Sequence, residues 1–85
     1  MLNSAMAIEA KEDILGDLFA KGLSASTGVG AELDLVEAHK WFNIAALKGN
    51  IEARMRRVEL AEIMTENQIS AAQKAARDWL SRAKN

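Results

Sequence analysis

Cysteine, proline and tyrosine are absent from this chain, and glycine occurs only five times. Without cysteine there is no disulfide framework, no thiolate metal site and no cysteine nucleophile. Without proline, and with little glycine, few points interrupt a helix, and an alanine-rich composition favours one throughout. Histidine occurs once, at position 39, and a lone imidazole with no thiolate beside it cannot assemble a typical zinc centre. No apolar run approaches the roughly 18 residues of a membrane span. The opening stretch MLNSAMAIEAKED has neither the basic nor the apolar region of a secretory leader. A soluble cytoplasmic protein without metal or cofactor is the expectation from these absences.

The composition itself is globular, with 49% hydrophobic and 27% charged residues in a chain of 85. That length holds one domain, which buries roughly 60% of its unfolded surface. The formal net charge is −1, but it is unevenly spread. Residues 1–37 carry seven acids against two bases, and residues 38–85 carry nine bases against five acids. Such a split can steer one half of the chain, or a second copy, onto the other.

Apolar spacing divides residues 1–85 into about four helices stacked antiparallel, an all-α domain. The first helix is expected over about 6–26, with Ile8, Leu15, Leu18, Phe19 and Gly22 on one side. Gly16 is a possible break in it, and Gly22 is read as a place of close approach by another backbone. Ser26 to Ala31 is the clearest loop, where Gly28 suits the left-handed position after a helix end. Asp34 and Glu37 have capping-box spacing and open a second helix over about 35–48. Leu35, Ala38, Trp41, Phe42, Ala45 and Ala46 form its apolar face, and Lys48-Gly49 ends it. Asn50 caps a third helix over about 51–64. Its apolar residues lie on two sides, Ile51, Met55 and Val58 opposite Ala53, Leu60 and Met64, which predicts a helix sandwiched between neighbours. Thr65 and Gln68 make a second capping box for a fourth helix to about 83. There Ile69, Ala72, Ala76, Trp79 and Ala83 form one stripe, with Lys74, Arg77, Asp78, Ser81 and Arg82 outside it, the pattern of a terminal capping helix.

Over residues 22–53 the spacing resembles the Sel-one-like repeat, a branch of the tetratricopeptide-like α-solenoids. The matching positions are Gly22, Gly28, Gly30, Asp34, Ala38, Trp41, Ala45, Ala46, Gly49 and Ala53, without a gap. Lys21, Ala25 and Ala31 stand where the repeat has Leu, Tyr and Val. Residues 54–85 look like the C-terminal helices of short single-repeat bacterial members, ending in a capping helix. The resemblance implies a scaffold or adaptor that binds protein and performs no catalysis.

Candidate chemistry is sparse. His39 stands beside the apolar face of the second helix, and no Ser or carboxylate has triad spacing to it. Gly28-Val29-Gly30 follows a helix rather than a strand and lacks the Lys of a phosphate-binding loop. Arg54, Arg56 and Arg57 are the densest basic cluster, interleaved with Glu52, Glu59 and Glu62, and are expected to form a solvated, partly ion-paired face. With Arg77 and Arg82 they supply the alternative reading of a nucleic-acid binder; an enzyme of unknown type is the remaining alternative. Trp41 and Trp79 are expected in the core, and the methionines as filler. The expected function is a protein-binding module that pairs with an unidentified protein or with itself as a homodimer or higher oligomer. Leu15, Phe19 and Leu23 on the first helix, together with Arg54 and Arg57, are its candidate contact residues. The charge split favours antiparallel or head-to-tail contact.

Overall fold

A computed structural model describes residues 16–83, which form four helices and no strand. We label them α1 (helical over 16–27), α2 (Leu35–Leu47), α3 (Ile51–Ala61) and α4 (Glu66–Ala83). The fold is all-α, a short helix stack, as the apolar periodicity predicts. The expected start of α1 near residue 6 lies outside the described residues.

The helix ends are chemically defined. The N–H of Gly28 bonds the Ser24 carbonyl at 2.8 Å while Gly28 takes φ +79°, so a left-handed residue closes α1. The hydroxyls of Ser26 and Thr27 donate to the Leu23 carbonyl, both at 2.9 Å, and keep these two residues helical where a loop is expected from their type. At the end of α2, Gly49 (φ +108°) donates to Ala46 and Asn50 donates to Ala45, each at 3.0 Å, the paired bonds of a Schellman motif. Asn50 then accepts from the Ala53 N–H at 3.0 Å and so caps α3. Thr65 and Gln68 exchange both capping-box bonds, at 2.9 and 3.1 Å. Asp34 makes only half of its box. It accepts from the Glu37 N–H at 3.1 Å, but the Glu37 carboxylate turns to Lys40 and to the Trp41 indole N–H, at 3.0 and 3.1 Å. A cation and a ring donor on the same helix outcompete the reach back to the cap.

α2 is the middle of the stack and packs against both α3 and α4. Ala38, Phe42, Ile44 and Ala45 are fully or almost fully buried along it, with His39 only 3% exposed. Ile44 and His39 widen the buried face beyond the expected stripe, because a helix covered by neighbours on several sides buries more than one row. Gly22 is a point of close approach, as expected, but to a side chain rather than a backbone: a Cβ there would lie 2.5 Å from two ring atoms of Phe42. Phe19 leans on the same ring, 5.6 Å between centroids. Trp41 and Trp79 join α2 to α4 edge-to-face at 5.7 Å, and both are half-buried rather than sealed in the core. On α4 the stripe buries Ala72 and Ala76 and turns Lys74, Arg77, Asp78 and Arg82 to the outside, as a terminal helix should.

The reading of α3 needs correction. The helix stops at Ala61, three residues short of expectation, because Glu62, Ile63 and Met64 donate to carbonyls three residues back and the turn tightens. Ala53, Leu60 and Met64 face the core, but the opposite row is uncovered, with Ile51 76%, Met55 62% and Val58 51% exposed. The predicted sandwich has one side only.

Candidate functional site

One departure from a self-sufficient domain is that uncovered row; Val29, Leu33 and Ile63 are exposed elsewhere. Ile51, Met55 and Val58 fall at spacings of four and three, one stripe of a helix. Arg54 and Glu59 flank it on opposite sides and form a shallow depression with it. Just before it, Leu47 is 65% exposed at the end of α2. A contiguous exposed apolar patch is the kind of feature by which contact surfaces are recognised.

The contact residues expected on the first helix behave differently. Phe19 and Leu23 are half-buried and pack against the core, Phe19 on Phe42. Leu15 lies outside the described residues. Arg54, Arg56 and Arg57 have separate surroundings. Arg54 borders the apolar row, and Arg56 faces Glu52 at 3.8 Å across one helical turn. Arg57 reaches back to α2 and donates to the Asn43 side-chain oxygen at 2.9 Å. Arg77 and Arg82 are exposed on α4.

Two further concave features border residues singled out in the sequence. A hollow of about 460 Å³ lies between α1, the loop and α2, lined by Lys21, Ser24, Ala25, Asp34, Glu37 and Trp41 among others. Lys21, Ala25 and Ala31, the three departures from the repeat spacing, all border it. The Lys21 ammonium caps the Trp41 ring at 4.7 Å, and Lys40 lies over the same ring at 4.1 Å. A cleft of about 330 Å³ lies where α2, α3 and α4 meet. His39 forms part of its wall, and its buried Nδ1 has no hydrogen-bond partner among the described residues. Burial, and then the Arg57 guanidinium, hold the imidazole pKa below its ordinary 6.5, so the ring is neutral near pH 7. Sequence reasoning placed His39 beside an apolar face but missed this cleft. Its walls come from three helices, and no local spacing encodes their meeting.

Among the described residues, no group of three or more His, Asp or Glu side chains is arranged to hold a metal ion. No helix among them is long and apolar enough to cross a membrane. Comparison with protein-family models, with curated proteins and with solved structures gave no match to this chain.

Proposed function

We propose that this chain is a non-enzymatic protein–protein interaction module of the Sel-one-like repeat type that pairs with a second copy of itself. The carrying observation is the uncovered row Ile51, Met55 and Val58 on α3. Solenoid units bury such faces on neighbouring repeats, and about three repeats are usually needed for independent stability. The positions that match the repeat spacing do work consistent with it: Gly22 admits Phe42, Gly28 and Gly49 turn the chain, and Asp34 caps α2.

Charge supports a second copy as the occupant. Arg54 and Glu59 stand five residues apart on opposite flanks of the row. This is the relation that pairs opposite charges across two helices packed side by side in parallel. Two α3 helices related by a parallel two-fold axis would place each Arg54 against the Glu59 of the other copy. An antiparallel pairing would set Arg54 against Arg54. This contact lies on α3 rather than on the first helix, whose Phe19 and Leu23 already pack inward. The local Arg54 and Glu59 charges favour a parallel pairing over the antiparallel or head-to-tail one expected from the charge split of the whole chain.

Sedimentation equilibrium at micromolar concentration tests the reading. A dimer is expected, with Met55→Glu giving a monomer that keeps its helical circular dichroism. A wild-type species of 9.3 kDa across the concentration range overturns the self-association.

A further inference from the structure

The cleft between α2, α3 and α4 brings together polar groups that the helix stack itself leaves unused. Arg57 is half-buried. Among the described residues its only recorded polar partner is the neutral Asn43 amide, and none of the ion pairs includes it. A guanidinium presents five N–H donors in a rigid fork, and the bond from Nη1 to Asn43 at 2.9 Å fixes that fork. His39, 3% exposed, borders the cleft, and its buried Nδ1 has no hydrogen-bond partner among the described residues. Buried polar atoms of folded proteins are nearly always satisfied, and an exception calls for an explanation. Gln73 of α4 adds an amide to the same cleft, and the aliphatic side chains of Val58 and Ile69 complete the wall.

We propose that this cleft is a binding site for an aliphatic carboxylate, with Arg57 as the charged anchor, His39 and Gln73 as neutral hydrogen-bonding groups, and Val58 and Ile69 against the hydrocarbon. The single full charge matches a monoanion. A phosphate dianion would meet one cation and an apolar wall, whereas a carboxylate fits the planar fork of arginine in two-point contact. Asn43 is a positioning residue: it holds the guanidinium and need not touch the ligand. The same chemistry is offered by a free branched-chain acid and by a peptide C-terminus ending in Leu or Val.

Titration of the full chain, followed by the His39 ring and Arg57 side-chain NMR signals, separates these sources. The probes are 4-methylpentanoate, a short peptide ending in Leu with a free carboxylate, the same peptide amidated, and inorganic phosphate. Saturable shifts with either carboxylate, and none with the amide, are expected. A response to both carboxylates assigns the site to small acids, and a response to the peptide alone assigns it to chain ends. Arg57→Gln, at a half-buried position that leaves the core intact, should weaken the interaction at least tenfold with unchanged helical content. Should Arg57→Gln fail to fold, Gln73→Leu, at an exposed position on the cleft rim, is expected to weaken binding several-fold. No shift at His39 with either carboxylate, or equal binding of phosphate or of the amide, overturns the proposal. Val58 borders both the α3 row and the cleft, so the titrations are repeated on Met55→Glu, which separates failure of this site from failure of the dimer.

Discussion

At the scale of single residues, two glycines make opposite cases. Replacing a helical Gly with Ala ordinarily adds about 1 kcal/mol of stability. Gly16→Ala should do so, since a Cβ there meets nothing within 4 Å. Gly22→Ala should instead destabilise by about 1–2 kcal/mol net, because the new methyl drives into the Phe42 ring and overpacking exceeds the propensity gain. Urea denaturation of the two variants should move the midpoint in opposite directions. Trp41 is half-buried against Trp79, so Trp41→Ala should cost about 3 kcal/mol, the lower end for a large aromatic. His39 gives a pH dependence. Its folded pKa is lowered from 6.5, so below pH 6.5 the unfolded chain takes up a proton that the folded chain resists. Stability should therefore fall as pH drops from 6.5 toward the folded value and be level above pH 6.5. Denaturation midpoints across this range should show the slope in the wild type and lose it in His39→Leu.

Among the elements, α4 and α3 show what local sequence does and does not encode. The start of α4 follows from Thr65 and Gln68, whose reciprocal bonds use only neighbours in the chain. Thr65→Ala should lower stability by about 1 kcal/mol, read as an earlier thermal midpoint with unchanged helical circular dichroism. The stripe of α4 was equally legible, because one-sided apolar spacing has one interpretation. The two-sided spacing of α3 has two: covered on both sides within the chain, or covered on one side and open on the other. Periodicity reports where Ile51, Met55 and Val58 point, and the number of neighbouring helices decides whether anything meets them. Glu37 illustrates a subtler limit. Its spacing from Asp34 suits a capping box, yet Lys40 and Trp41, one turn on, offer better partners. The His39 cleft was illegible for the same reason as the α3 row. Residues 39, 57 and 73 are far apart in sequence, and only the packing of α2 against both α3 and α4 assembles them.

For the whole molecule, stability and association are linked. If a second copy covers the α3 row, the thermal midpoint should rise with protein concentration through mass action, whereas Met55→Glu should melt at the same temperature at every concentration. The two indoles add a way to watch this. Trp41 sits on α2 and Trp79 on α4, in edge-to-face contact at 5.7 Å, and no other tryptophan is present in the sequence. Chromophores this close share their electronic excitation, so the pair should give a split circular-dichroism band in the far ultraviolet that neither ring gives alone. Undocking of α4 from α2 separates the rings and extinguishes that band, even where every helix keeps its hydrogen bonds. The molecule thus carries its own spectroscopic ruler for tertiary contact, independent of the helical signal and removable by Trp79→Phe.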